Sequence, residues 1–311
     1  MSTHSRIEKS YKKSLMQRYP KFKSSIASRL FGAFASKQFP TPIQCVINRT
    51  YASMMRVDLM EFDSISTYKS LNQLFTRRFK TQRLFNIHET TLISPCDSYV
   101  SAYGSIENTL ALQIKGFEYN VSNLLGDYIE KRQKERLEGG NYVNFYLSPR
   151  DYHRYHAPLD MRITKAVHIP GKLYPVNLTW LKKVPELFVE NERVVLECYT
   201  KENQLFYMIF VGALNVGKMA FSFDANIQTN VHAKQQQCYT YQNLVLSKGE
   251  ELGHFEMGST IVMLFEKESV TIDLKGLTHV KFGQPIGEVN AKRNIDHDAQ
   301  INQQGDDTSL S

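Results

Sequence analysis

Lys248-Gly-Glu-Glu-Leu-Gly-His-Phe-Glu-Met257-Gly258-Ser259-Thr260-Ile-Val-Met-Leu-Phe265 is the stretch on which the reading of this chain turns. Ile261 to Phe265 is a short unbroken apolar run, the mark of a strand buried on both faces. A glycine and a hydroxyl residue stand directly before it. Glycine has no Cβ and tolerates strained backbone, so its carbonyl lies open to attack by the Oγ of the serine that follows. The same residues also read as a tight turn feeding a buried strand. What lies elsewhere in the chain separates the two readings.

Upstream, Phe145-Tyr-Leu-Ser-Pro-Arg-Asp-Tyr-His153-Arg-Tyr-His156-Ala-Pro158 carries two histidines three apart, and Ser94-Pro-Cys-Asp97 holds a carboxylate in a turn context. With Ser259 they supply a nucleophile, a base and an acid to orient the base. That set activates a hydroxyl that is a weak nucleophile near neutral pH. Either histidine could serve as the base by chemistry alone. Asp97, His153 and His156 would also make a three-ligand metal site, but no further His or Cys signature accompanies them and no metal is expected. Arg150 and Arg154 suit a phosphate or carboxylate as bidentate donors, or a structural ion pair. Asn191-Glu192-Arg193 and Asn215 read as turn and polar-network residues, and His254 as a structural hydrogen-bonding group.

Working outward, short apolar or alternating runs recur at 110–114, 142–147, 161–169, 194–199, 205–211 and 270–274, punctuated by Gly, Pro and Asn. They predict a β-rich, mainly antiparallel domain over residues 88–289. Asn120 to Arg136 reads as a helical insertion. Residues 1–87 read as a helical region: Ile26, Ala27, Leu30, Phe31 and Phe34 share one helical face, and Thr41-Pro42 opens a second helix with the stripe Ile43, Val46, Ile47, Tyr51 and Met54. The whole is an α+β chain, closed by a polar tail at 290–311.

Charge is uneven. Residues 1–50 hold ten Lys or Arg against Glu8, a net of +9; the whole chain is +7, so the rest is about −2. Basic residues beside an amphipathic helix suit an anionic membrane surface better than nucleic acid. The longest apolar run, 205–214, is too short to span a bilayer as a helix, and no export signal is evident. Four scattered cysteines without a Cys-x-x-Cys pair fit a reducing compartment.

Taken in order, Ser94-Pro-Cys-Asp97, Ser148 to His156, Gly171-Lys-Leu-Tyr-Pro-Val-Asn177, Asn191-Glu-Arg193, Val211-Gly-Ala-Leu-Asn-Val-Gly217 and Lys248 to Thr260 resemble the phosphatidylserine decarboxylases, pyruvoyl enzymes made as self-cleaving precursors. Looser similarity runs from Arg29-Leu-Phe-Gly32 to Val280-Lys-Phe-Gly-Gln284. Two positions depart from the family pattern: Ser98 where a glycine is usual, and Met257 where Leu or Val is more common. Neither removes a reactive group. The resemblance implies cleavage between Gly258 and Ser259 into two chains from one precursor, the smaller running 259–311. It implies that Ser259 becomes the pyruvoyl cofactor, which forms a Schiff base with phosphatidylserine and releases CO2 to give phosphatidylethanolamine. It divides labour between His156, the base of maturation oriented by Asp97, and His153, which returns a proton during turnover. It also implies a peripheral protein on the cytoplasmic face of a bacterial membrane, or on the mitochondrial inner membrane. Oligomeric state stays open, a homodimer included. A pyruvoyl decarboxylase of a soluble amino acid and a silent lipoyl-like binding module are the rival readings; vesicle binding and intact mass separate them.

Overall fold

The computed structural model describes residues 24–114, 117–214, 218–229, 235–256, 260–276 and 278–291. Gly258, Ser259 and Asn215 therefore lie outside the described residues, as do seven of the ten N-terminal basic residues and all but two of the residues of the polar tail.

Helices α1 (Ser24–Ser36), α2 (Thr41–Met55) and α3 (Leu71–Phe75) come first, with a 3₁₀ turn at Ile65–Thr67. Pro42 sits in the first turn of α2 as expected, but Thr41 is already helical and gives no capping hydrogen bond. The helical reading fails beyond Phe75. Thr76 to Thr90 is irregular, because its side chains are committed to the body of the protein. Arg77 donates to the carbonyls of Arg150 and Asp151, and Arg83 grips two carboxylates.

The strands in chain order are β1 (Thr91–Ile93), β2 (Ser98–Ser105), β3 (Leu110–Ile114), β4 (Phe117–Asn120), β5 (Asn141–Tyr146), β6 (Arg154–His156), β7 (Met161–Ile169) and β8 (Arg193–Thr200). They continue with β9 (Leu205–Val211), β10 (Met219–Phe221), β11 (Gln237–Leu246), β12 (Glu251–Phe255), β13 (Thr260–Phe265), β14 (Val270–Ile272), β15 (His279–Val280) and β16 (Pro285–Val289). Eight form one antiparallel sheet in the order β11-β7-β8-β9-β13-β5-β2-β15. The α+β reading holds. The helical insertion is real but broken: α4 (Val121–Leu125) and α5 (Lys131–Glu135) are parted at Gly126, whose φ is 76°.

Period-2 alternation explains why the large sheet has two cores. Along β13, Ile261, Met263 and Phe265 pack on one face, while Val262 and Leu264 pack on the other. The first face is closed by two three-stranded sheets, β10-β12-β6 and β1-β16-β14, through Tyr155, Phe255, Phe221, Leu92 and Ile286. The second is closed by β3-β4 and short helices, through Tyr119, Leu124, Leu181 and Phe188. A central strand covered on both sides must be apolar throughout, which is why Ile261 to Phe265 shows no alternation of its own.

Helix α2 is inside out. Its buried residues are Gln44, Asn48 and Ala52. Gln44 Nε2 donates to Asn48 Oδ1 at 2.8 Å, and Asn48 Nδ2 to the carbonyl of Tyr68 at 2.9 Å, so the buried amides are satisfied. The apolar residues face outward: Val46 is 62 % and Met54 71 % exposed, and on α1 Leu30 is 69 % exposed. Part of the α1 stripe does pack, through Phe31 and Ala35 against Leu71 and Leu74.

Candidate active site

Three of the segments singled out in the sequence converge at β6. The backbone N–H of His156 donates to the carbonyl of Pro95, which ties the histidine strand to the Ser94–Asp97 turn. That turn is in turn held by Ser94 N–H to the Gln284 carbonyl and Gly283 N–H to the Ser94 carbonyl. Strand β12 lies beside β6, with Glu251 opposite His156 and His254 opposite Arg154. Phe255 N–H donates to the His153 carbonyl at 2.9 Å, three residues before Gly258. On the far side of the cleavage site, Thr260 is paired with Tyr146 on β5 and Val211 on β9. Both flanks of Gly258-Ser259 are thus pinned to the segment that carries the histidines.

His156 is held on four sides. Its Nδ1 lies 2.9 Å from the Gly249 carbonyl, which can only accept, so Nδ1 carries the proton. Nε2 then accepts from the Tyr152 hydroxyl at 3.0 Å. The ring stacks on Phe282 at 3.8 Å and 17°. Gly249 is a position only glycine fits: its φ is +80°, and a Cβ would come 2.1 Å from the Phe85 ring. Burial, partly opposed by the Gly249 carbonyl, pushes His156 down to about 4. It is a neutral base with its accepting nitrogen defined.

His153 is fully buried, with Nδ1 donating to the Asp151 carbonyl at 2.8 Å and the ring against Phe75 at 3.9 Å. Its Nε2 has no hydrogen-bond partner among the described residues. Burial, then the charge of Arg77, pushes it down to about 3. A buried accepting nitrogen without a protein partner costs stability unless a water or ligand supplies one.

Asp97 does not hydrogen-bond His156. Its carboxylate accepts from Arg83, which also grips Glu61, and from the Phe282 N–H at 2.8 Å. The two residues meet through Phe282, which gives its backbone to Asp97 and its ring to His156. Tyr152, Phe282 and Arg83 were missed as site residues. Tyr152 and Phe282 lie inside the quoted motifs, but nothing local marks either as a contact of His156. Arg154 resolves as structural: its guanidinium pairs with Glu251 at 2.6 Å and bonds the Thr76 carbonyl. Asn191-Glu192-Arg193 is the polar network expected: Asn191 joins Tyr174 to Gly212, Glu192 pairs with buried His168, and Arg193 caps carbonyls of Asn123, Leu124 and Val189. His254 lies half-buried on β12, and burial pushes it down to about 4.

Beside the Thr260–Tyr146 pair lies an apolar cavity of about 690 Å³, walled by Phe34, Val46 and Met54 of the helices and by Leu147, Val176 and Ala213 of the body. Among the described residues no helix is long and apolar enough to cross a membrane.

The buried histidines fix a pH dependence. Their folded values lie below the ordinary 6.5, so as pH falls from about 6.5 to 4 the unfolded chain takes up protons that the fold refuses. Stability is full above that window and is lost on descending it, by at most about 1.4 kcal/mol per pH unit for each histidine. Urea midpoints of an uncleaved Ser259→Ala chain between pH 7 and 5 should fall, and His153→Gln should flatten the slope. An unchanged slope would show that His153 is not buried neutral.

Sequence comparison puts the chain among the carboxy-lyases. It belongs to the phosphatidylserine decarboxylase family, whose profile matches residues 71–288. It is 46 % identical over 269 residues to a phosphatidylserine decarboxylase proenzyme of Campylobacter jejuni, covering 85 % of this chain and 99 % of that one. A Helicobacter pylori proenzyme of the same name is 46 % identical, with 86 % and 98 % covered, and one from Anaeromyxobacter 34 %, with 84 % and 93 %. The family makes its members as self-cleaving zymogens and decarboxylates phosphatidylserine to phosphatidylethanolamine.

Proposed function

We propose that this chain cuts itself between Gly258 and Ser259 and then decarboxylates phosphatidylserine at a membrane surface with a pyruvoyl group made from Ser259. The observation that supports the reading is the pinning of Phe255 to His153 and of Thr260 to Tyr146, which ties the described residues on either side of Gly258-Ser259 to the segment that carries the histidines. Intact mass is the test. It should show chains of 1–258 and 259–311, the second lacking a free amino terminus; one uncut chain with full activity would overturn the proposal.

In maturation, the Tyr152 hydroxyl turns away from His156 Nε2, which then takes the Ser259 Oγ proton, and the oxygen attacks the Gly258 carbonyl. The amide becomes an ester with a free amine at residue 259. A base removes its α-proton as the carboxylate leaves, giving chain 1–258 and an enamine that tautomerises to an imine, and water displaces ammonia from it to give the keto group. His156 is neutral at any pH above about 4, so cleavage should be insensitive to pH over the neutral range. Asp97 acts at one remove, by fixing Phe282 and thus the ring it stacks on. The keto group so made supplies an electron sink for the pair of electrons left by CO2. The second role falls to His153, whose Nε2 has no partner among the described residues: it takes a proton from the incoming ammonium and returns one to the α-carbon.

Residues 1–87 serve as the docking region and 88–289 as the catalytic one. The outward apolar residues of α1 and α2 support membrane contact, and on α2 it is the polar face that is turned inside. The apolar cavity between them suits acyl chains. Leu30→Ser with Val46→Ser and Met54→Ser should weaken vesicle binding at every salt concentration. At about 1 kcal/mol for each partly exposed side chain, the loss is about a hundredfold. Charge reversal at Lys12, Lys13, Lys21 and Lys23 should matter mainly at low salt. Co-sedimentation across a salt series reads both. Unchanged binding in both variants would place the membrane contact elsewhere.

A further inference from the structure

The apolar cavity does not end at Met54. A second cleft of about 420 Å³ shares Met54, Met55, Tyr146 and Pro149 with it and adds Arg56, Arg150 and His279. The same three basic residues also wall a third cleft, of about 310 Å³, on whose other side stand Asp97 and Tyr152. Arg56, Arg150 and His279 therefore stand between the acyl-sized cavity and the residues that surround His156.

Their side chains are available. Arg77, Arg83 and Arg154, the other arginines of this region, are committed to carbonyls or carboxylates. Arg56 makes no ion pair among the described residues. Arg150 has only Asp151 at 3.7 Å, and that carboxylate is already taken by the N–H and hydroxyl of Ser148. The Arg150 Nη2 instead donates to His279 Nε2 at 3.1 Å, which holds the guanidinium without neutralising it. The acids facing the same cleft are occupied: Glu61 and Asp97 by Arg83, and Asp58 by the Met60 N–H. Arg56 also caps α2 at φ 56° and ψ 46°, where glycine is the favoured residue. An arginine there gives up backbone preference while it lines both clefts.

We infer that Arg56, Arg150 and His279 bind the phosphodiester of the phospholipid whose acyl chains fill the apolar cavity. This rests on the reading of the chain as a phospholipid decarboxylase. A glycerophospholipid presents, in order, apolar tails, one anionic phosphodiester and the amino-acid headgroup. The surface presents, in the same order, an apolar cavity, the guanidinium groups of Arg56, without an ion pair, and Arg150, with only a loose one to Asp151, and the Asp97–Tyr152–His156 cluster. Two guanidinium groups on one phosphate give the forked, charge-assisted hydrogen bonds that fix both position and orientation. Only one methylene parts the phosphodiester oxygen from the reacting α-carbon, so a phosphate site must adjoin the reacting centre. Tyr146, which lines both cleft and cavity, is the cross-strand partner of Thr260, the residue after Ser259.

The test uses the full-length protein, cut or uncut, and dihexanoyl phosphatidylmethanol, an anionic phosphodiester with no amine to react. Calorimetry should show binding to the wild type and a dissociation constant at least tenfold higher for Arg56→Met with Arg150→Met. Arg150→Lys should lie between. Dihexanoylglycerol, which lacks the phosphate, should bind wild type and double variant alike. Equal binding of the phosphodiester to both proteins would overturn the inference. So would competition by inorganic phosphate as strong as by the lipid analogue, which would make this a site for free anions. Binding of the analogue needs no chemistry, so its outcome is independent of whether the chain cuts itself or releases CO2. With dihexanoyl phosphatidylserine, the double variant should raise KM at least tenfold while kcat falls less than threefold, the pattern of lost uniform binding.

Discussion

Ser259→Ala protein should run as one chain of full length and release no CO2 from phosphatidylserine. The substitution removes the only oxygen that can attack the Gly258 carbonyl from the adjacent residue, and with it the source of the keto group. The fold should survive, because the neighbouring Thr260 keeps its backbone pairing to Tyr146 and Val211. Ser259→Cys should cleave slowly, since a thiol can make the same acyl shift. A Ser259→Ala chain that still splits, or that turns over uncut, would remove the mechanism altogether.

His156→Ala and Asp97→Ala should both accumulate uncut precursor, and His153→Ala should mature yet turn over about 10²–10⁴-fold more slowly. The geometry gives the order of severity. His156 is the proposed base, whereas Asp97 reaches it only through Phe282, so Asp97→Ala should cleave slowly rather than not at all. Phe282→Ala should fail like Asp97→Ala, because it removes the ring that positions the imidazole. The measurement is the time course of the 1–258 chain on denaturing gels, with CO2 release from the matured fraction. Blocked cleavage in His153→Ala with normal cleavage in His156→Ala would exchange the two roles.

The reach of sequence reading differs from element to element for physical reasons. Strand β13 was plain, because a strand covered on both faces must be apolar at every position. Strand β11, Gln237–Leu246, is missed because a register shift between Thr240 and Leu244, at Gln242-Asn243, breaks its alternation. The stripe on α2 was read correctly as a helical face, but periodicity says which residues share a face and not which medium that face meets. Only the hydrogen bonds of Gln44 and Asn48 show that the amides point inward. The histidines and Asp97 were legible as chemistry from spacing and residue type. Their partners were not: Gly249 and Phe282 reach His156 from 93 and 126 residues away, and no local pattern announces such a meeting. Arg83 was hidden in a segment read as helix, where its grip on Glu61 and Asp97 is what keeps the chain extended.

The place of β13 in the sheet has one more consequence. A cut at residue 258 frees the head of a strand that lies between β9 and β5, with β15 on β2 and β16 on β1 extending the same piece across the body. Of the strands in the 259–311 piece, only β14 and β16 pair with each other; every other pairing is with the larger piece. The severed protein is therefore a two-component complex with the connectivity of a monomer erased, joined by those strand pairings. Before the cut, melting is unimolecular and its midpoint is indifferent to dilution. After it, the midpoint should drop as protein is diluted, and refolding should become second order. Maturation thus turns a chain that can refold from its own ends into one that depends on finding its missing part.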